Sequence, residues 1–376
     1  MKILIVDDNH IDRIILKKIL KSKGYTNLME MISVKEALHY LLKNDENISV
    51  DLILTDLIMN EIDGIEFCKQ MRGKKKFDHV PIIAISASSN METLKKAFEI
   101  GVSDYITKPI NPIEVITRIE SVLKLKIEKD EQRKREEKIL NDLKMAKKIQ
   151  LNMLPKPLNK EKISINGFYS AETFLGGDLY YWEKIDDFKY GIILFDVMGH
   201  GTATSMICMY IRSLLPGVMS VNDAKITMEE LNKHMIRFNN MLNDEMDYYF
   251  TAIYVVVNTK EQTIEYVNAG HPTGVMIYEN RSYKFLEEGC IPIGIKPNLN
   301  IKVGHLSYRE SFELYIYSDG ISELLGVSKE KISNNMQQIY KKKYEKISSF
   351  LEYIMYNIQL EKTKDDISIV RIEVSL

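Results

Sequence analysis

A chain of 376 residues, 45% of them apolar, is long enough for two or three domains with sizeable cores. Its net charge of −2 argues against nucleic acid or a membrane surface as a dominant partner. Cys68, Cys208 and Cys290 are few and far apart, as in a reducing cytoplasm; no secretory signal is expected after Met1, and no apolar run approaches the roughly 18 residues of a membrane span.

Short apolar runs at 2–6, 27–31, 51–55, 81–86 and 104–107 alternate with amphipathic stretches near 11–23, 34–42, 64–72, 90–100 and 112–125. That alternation predicts a doubly wound, five-stranded parallel sheet with helices on both faces, whose functional crevice lies at the carboxyl ends of the strands. The polar residues at those ends are Asp7, Asp8, Asp56, Ser86 and Lys108. Three carboxylates gathered there suit Mg2+, and Asp56 can act as a nucleophile toward a phosphoryl donor. The Lys108 ammonium would neutralise the transferring oxygens, and the Ser86 hydroxyl can donate to the attached group. A generic fold with solvated acidic loops is the competing reading; so many suitable residues on the right strand ends weigh against it.

Residues 1–124 resemble a two-component response-regulator receiver domain. The resemblance rests on Ile5-Val6-Asp7-Asp8, Thr55-Asp56-Leu57-Ile58-Met59 with Asp63-Gly64, Ala84-Ile85-Ser86-Ala87, and Asp104-Tyr105-Ile106-Thr107-Lys108-Pro109. It implies that Asp56 is the phosphoacceptor, and that Asp8, Asp56 and the Ile58 carbonyl ligate Mg2+ with help from Asp7. It also implies that Ser86 and Tyr105 form a switch pair and that the Lys108–Pro109 bond is cis. Asn60 stands where the family often has proline.

Residues 125–158 read as a linker. The stretch 128–138 has no apolar residue, glycine or proline, which predicts a solvated helix. Ile139, Leu143, Ala146, Ile149 and Met153 then recur at spacings of three and four, a helical stripe that ends before Pro155 and Pro157. Either this helix is a rigid spacer, or it continues the last receiver helix as a dimerising, coiled-coil-like signalling element; the second reading is preferred. Its interleaved Glu and Asp make the basic residues a solvated face rather than a nucleic-acid site.

In the remaining segment, 159–376, acidic residues recur at the ends of apolar runs. Gly176-Gly177-Asp178 opens a strand-like stretch. Phe195-Asp196-Val197-Met198-Gly199-His200-Gly201 closes another and leads into a helical run, 202–215. Ser318-Asp319-Gly320 follows a third, and Asp365-Asp366 heads the last. A carboxylate leaving a buried strand loses water and needs a partner or a metal, and glycines allow close backbone approach. Oxygen ligands in such number favour Mg2+ or Mn2+ over zinc, and two such ions can clamp a phosphoryl oxygen. For any one of these turns, an exposed capping Asp is an equally good explanation; their recurrence is what argues for metal.

With Asn268-Ala269-Gly270-His271 and Ile291-Pro292-Ile293-Gly294, these motifs resemble, in order and spacing, bacterial protein phosphatase 2C-like domains of the sporulation stage II E and sigma-factor-regulator type. The resemblance implies an α-β-β-α sandwich of antiparallel sheets and a metal-dependent serine/threonine phosphatase. By position, Asp196 would bridge two Mn2+ or Mg2+ ions and the Val197 carbonyl would ligate one. Asp319 and Asp365 would ligate the other, and Asp178 would make a further contact. One position departs: the family usually has a carboxylate where this chain has Tyr181, and a phenol stays protonated at neutral pH. Because the principal carboxylates remain, this position is read as one beside the site that tolerates the change, and restoring Asp is expected to strengthen metal binding. His200 and His271 are read as loop-orienting residues, and Trp182 as core or as lining the approach to the metals.

The combined reading is a cytoplasmic response regulator. A sensor histidine kinase would phosphorylate Asp56, and the output would be hydrolysis of phosphoserine or phosphothreonine on a regulatory protein, by resemblance an anti-sigma-factor antagonist. The alternative is a non-catalytic partner-switching module or phosphate sink with a degenerate second domain.

Overall fold

The computed structural model describes residues 1–42, 49–59, 63–87, 91–242, 247–280, 282–321 and 365–376. Asn60, Asn90 and Lys364, which bear on the expected loop, helix start and acidic pair, lie outside them. The chain divides into two compact units, Met1–Ile139 and Leu140–Leu376.

The first unit alternates as the sequence predicts: β1 Lys2–Val6, α1 His10–Ser22, β2 Asn27–Met31, α2 Val34–Leu41, β3 Leu52–Asp56, α3 Gly64–Arg72, β4 Ile82–Ser86, α4 Met91–Ile100, β5 Asp104–Thr107 and α5 Pro112–Asn152. The sheet is parallel, in the order β2-β1-β3-β4-β5. Because strand side chains alternate, each strand feeds two cores. Leu4, Val6, Ile53 and Ile82 pack with Phe67 and Met71. Ile3, Ile5, Leu54 and Ile83 pack with Leu16, Leu20 and Ile119 on the other face. The order β2-β1-β3 puts the carboxyl ends of β1 and β3 side by side, at the reversal point of the topology.

Helix α5 continues past 125 to Asn152, as the preferred reading of the linker expects, so the division between the units falls inside a helix. Its polar middle is carried by close-spaced ion pairs, Lys126–Asp130 at 2.6 Å, Arg133–Asp130 at 3.5 Å and Arg135–Glu131 at 3.3 Å. Such pairs contribute only about 0.2–0.5 kcal/mol each, enough to favour a helix where no core can.

The second unit comprises β6 Leu158–Asn159, β7 Ile163–Ser170, β8 Asp178–Lys184, β9 Lys189–Val197, α6 Thr202–Met219, α7 Ala224–Leu242, β10 Phe250–Asn258, β11 Thr263–Ala269, β12 Gly274–Tyr278, β13 Tyr283–Leu286, β14 Gly289–Cys290, β15 Gly304–Ser307, β16 Phe312–Tyr317 and β17 Ile367–Val374. One sheet runs β14-β11-β10-β9-β8, with β15 also on β11; the other runs β13-β12-β16-β17-β7-β6. Pairing is antiparallel apart from the short β14, which is parallel to β11. The sheets face each other across a core of Tyr180, Trp182, Leu194, Ile253, Leu314, Ile316 and Val370. The outer face of the first sheet packs Leu179, Ile193, Phe195 and Val197 against Ile207, Ile211 and Leu231 of α6 and α7. Helix α6 continues past the expected stop and through Pro216, because Val218 and Met219 are still buried in that core.

Candidate functional site

In the first unit, one carboxylate oxygen from each of Asp7, Asp8 and Asp56 lies within 4.8 Å of the others. Lys108, just past β5, reaches back over them. Its Nζ lies 2.6 Å from Asp56 Oδ2, 2.7 Å from Asp12 Oδ2 and 3.4 Å from Asp7 Oδ2. Burial works against the ammonium, but its hydrogen bonds to Asp12 and Asp56 hold its pKa above the usual lysine value. Burial, opposed by the Asn9 N–H and Lys108, raises the pKa of the Asp7 carboxyl. Four carboxylates gathered with this ammonium retain excess negative charge, which suits a hard divalent cation.

Ser86 is buried at the end of β4, and its carbonyl accepts from the Lys108 N–H at 2.9 Å, which sets where the lysine starts. The Lys108–Pro109 bond is cis. The Ile58 N–H donates to Asp56 Oδ1 at 2.9 Å. The Tyr105 ring packs edge-on against Phe98 at 6.0 Å and lies under the Arg118 guanidinium at 5.1 Å. Asp12 was missed in the sequence because an acidic residue in a first helical turn ordinarily complements the helix dipole.

In the second unit, Asp178 at the head of β8 pairs directly with Asp196 near the end of β9. Alternation puts both on the inter-sheet face, in line with Tyr180 and Leu194. From the opposite sheet come Ser318 and Asp319 after β16, and Asp365 and Asp366 before β17. The end of β16 and the head of β17 are tied by the Ser318 N–H to the Ser368 carbonyl and the Ser368 N–H to Ser318 Oγ, each 2.9 Å. Burial and then the Asp319 charge push Asp196 up to about 7, with Asp365 and Asp366 acting the same way. Asp178 is fully buried and stands well above the carboxylate range, from burial first and then the Asp196 charge. Its buried Oδ2 has no hydrogen-bond partner. Crowded, desolvated carboxyls with an orphaned oxygen fit divalent cations, since such groups otherwise carry an uncompensated cost.

The backbone around this cluster is closely held. Asp366 accepts from the Gly177 N–H at 2.7 Å and the Glu172 N–H at 2.9 Å. The Val197 N–H donates to the Gly177 carbonyl at 3.2 Å. A Cβ on Gly177 would lie 3.0 Å from the Val197 carbonyl oxygen, so glycine leaves that oxygen accessible. Gly199 and Gly201 take φ of 92° and 94°, as the turn out of β9 requires. The Met198 N–H is fixed by the Tyr249 carbonyl at 3.1 Å.

The histidines separate. His271 is buried, with Nδ1 2.8 Å from Thr251 Oγ1, and Thr251 pairs with Asp196 across β10 and β9. His200 is exposed. Trp182 is core: it stacks on Tyr180 at 5.4 Å and donates from Nε1 to the Lys156 carbonyl.

Tyr181 corrects an expectation. Three residues from Asp178 on one strand, it lies on the opposite, helix-side face. The Arg212 guanidinium covers its ring at 3.7 Å, and its hydroxyl donates to Glu183 at 3.0 Å. A carboxylate at 181 would meet Arg212, not the acid cluster. Gln150 was not singled out in the sequence, because the readable signal there was the apolar stripe around it. It is 2% exposed, and its side chain bonds Gly176 at both peptide groups.

A doubly wound domain with an acidic crevice, followed by a two-sheet sandwich with acids at one end, defines a receiver joined to a phosphatase 2C-like fold. Residues 3–120 match the response regulator receiver domain, and residues 186–375 match stage II sporulation protein E (SpoIIE). The chain belongs to the SpoIIE family, with a receiver domain ahead of the family region. It is 35% identical over 184 residues to the phosphoserine phosphatase RsbP of Bacillus subtilis, covering 48% of this chain but 45% of that protein. It thus spans under half the length of that relative. It is 34% identical over 123 residues to a CheY chemotaxis protein homolog of Campylobacter jejuni, covering 33% of this chain and 92% of that protein. The SiaA-PP2C domain of Pseudomonas aeruginosa shares the fold at a TM-score of 0.52 and 14% identity, over 64% of this chain and 98% of that one. No described helix is long and apolar enough to cross a membrane.

Proposed function

We propose that this protein is a phosphorylation-controlled, metal-dependent protein serine/threonine phosphatase. The observation that carries the proposal is the direct pairing of buried Asp178 with Asp196, facing the acidic residues of the opposite sheet. Asp178, Asp196, the Val197 carbonyl, Asp319 and Asp365 would hold two Mn2+ or Mg2+ ions. Divalent cations there supply Lewis acidity toward a phosphoryl oxygen and lower the pKa of water. The chain's own part is to present these oxygens with little freedom: Asp366 clasps the turn before β8, and the Ser318–Ser368 exchange locks the opposite sheet. Likeness to a phosphoserine phosphatase supports a phosphoserine or phosphothreonine substrate on a protein, and the motif resemblance to sigma-factor-regulator phosphatases suggests an anti-sigma-factor antagonist in that role.

In the receiver, Asp7, Asp8, Asp56 and the Ile58 carbonyl would hold Mg2+. Asp56 accepts a phosphoryl group from a sensor histidine kinase. Lys108, already 2.6 Å from Asp56, pairs with the incoming oxygens, while Ser86 and Tyr105 report the change. Exposed Ile139, Met145 and Ile149 on α5 support a homodimer formed through that helix. A missing carboxylate at Tyr181 is the feature that would mark a degenerate, non-catalytic domain, and its placement away from the acids supports the catalytic reading.

The test is p-nitrophenyl phosphate hydrolysis by the intact chain with Mn2+, with EDTA, and with Asp56 phosphorylated or not. Turnover that needs Mn2+ and responds to Asp56 is expected; no turnover in any state would leave a binding module or phosphate sink.

A further inference from the structure

The turn that delivers Asp178 is gripped from the end of α5. Gln150 Nε2 donates to the Gly176 carbonyl at 2.8 Å, and the Gly176 N–H donates to Gln150 Oε1 at 3.3 Å. The Tyr169 hydroxyl donates to the same Oε1 at 3.2 Å, fixing which end of the amide faces which peptide group. A primary amide carries a donor and an acceptor at one tip, so it can satisfy both peptide groups of a single residue; a carboxylate, ammonium or hydrocarbon tip cannot. Gly176 is shaped for this. A Cβ there would fall 2.4 Å from Tyr169 Oη and 2.4 Å from Asp366 Oδ2. Gly177, held by Asp366, follows, and then Asp178 with its orphaned oxygen. An amide with its bonding groups buried holds its geometry because any displacement leaves peptide groups unsatisfied.

We propose that Gln150 is a positioning residue for the acid cluster: by bonding both peptide groups of Gly176, it holds the Asp178 carboxylate in the place where it can ligate a divalent cation. The proposal rests on the metal-dependent reading above and adds how that site is held. Gln150 lies in the last turns of α5, so the end of that helix and the Gly176 turn form one hydrogen-bonded unit.

The experiment is a Mn2+ titration of the metal-free, full-length protein followed by electron paramagnetic resonance, in which the receiver site is common to all variants. Hydrolysis of p-nitrophenyl phosphate is measured against Mn2+ in parallel. Gln150→Met keeps the length and burial but loses both hydrogen bonds. It should weaken the phosphatase-unit Mn2+ sites about tenfold or more, the scale for residues that orient metal ligands. Turnover at saturating Mn2+ should stay within roughly threefold of the parent, and the melting temperature of each metal-free variant, measured alongside, separates lost ligand positioning from partial unfolding that Mn2+ would reverse. Tyr169→Phe, which leaves Gln150 in place but less well oriented, should shift affinity in the same direction by a smaller factor, and it tests the proposal even if the Met variant does not fold. Unchanged Mn2+ affinity in both variants overturns the proposal. So does a loss of rate at saturating metal with affinity intact. If the parent protein hydrolyses nothing, the phosphatase reading fails, yet the resonance titration still decides the role of Gln150.

Discussion

Asp178 and Asp196 oppose each other as a paired position on antiparallel β8 and β9, both turned into the space between the sheets. Like charges directly opposite on neighbouring strands are destabilising, so the pairing points to a cation between the sheets. Asp196→Ala and Asp319→Ala are each expected to lower Mn2+-dependent turnover at least about 100-fold, the scale for losing one preorganised electrostatic group. Substantial hydrolysis by Asp196→Ala would refute the assignment of these acids to the metals.

The same crowding predicts a pH signature without metal. Burial and the neighbouring Asp319 charge raise the Asp196 carboxyl from its ordinary 3.8 to about 7, so the folded protein holds this proton more tightly than the unfolded chain does. Its contribution is therefore fully present below about pH 4 and is lost as pH rises through about 7. Asp178 shifts in the same direction. Asp196→Asn escapes the loss. In EDTA, its melting temperature relative to the parent should rise by roughly 5 °C between pH 5 and pH 8, and excess Mn2+ should recover stability in the parent. A difference that stays flat with pH would show that the carboxyl is not strained by its neighbours.

Tyr181 offers a negative control. With its ring under Arg212 at 3.7 Å on the helix side of β8, it lies away from the acid cluster. Tyr181→Asp should pair with Arg212 and leave the half-saturating Mn2+ concentration within about twofold of the parent. A marked fall in that concentration would place position 181 at the metals after all.

Coupling between the chemistries should depend on α5, which runs from Pro112 to Asn152 with no internal glycine. Replacing Arg133 and Lys134 by glycine costs about 1 kcal/mol of helix propensity at each position and breaks the Arg133–Asp130 pair. Phosphatase rate would be measured with and without beryllofluoride on the intact chain, on Asp56→Asn and on the double-glycine variant. The intact chain should respond, Asp56→Asn should not, and the glycine variant should retain activity but lose most of the response. A full response in the glycine variant would make the helix a passive spacer.

Much of this was legible in the chain itself. Strand and helix periods, an acid closing each of several apolar runs, and Lys108 before a proline are local patterns, and local patterns specify which residues end a strand. They therefore pointed to Asp7, Asp8, Asp56 and Lys108 as one crevice, and to Asp178, Asp196, Asp319 and the pair Asp365-Asp366 as metal-ligand candidates, with Asp365 preferred on the family resemblance. Only the tertiary structure decided which face of each strand looks inward. It turned Tyr181 toward α6 and gave Asp366, beside the expected ligand Asp365, the task of clasping Gly177 and Glu172. It also brought Asp12 to Lys108 and Gln150 to Gly176, partners 96 and 26 residues apart in the chain. The physical reason is that a period states how side chains alternate along one element. Which donor meets which acceptor depends on how elements pack, and that is settled by the cores of both units rather than by any local run.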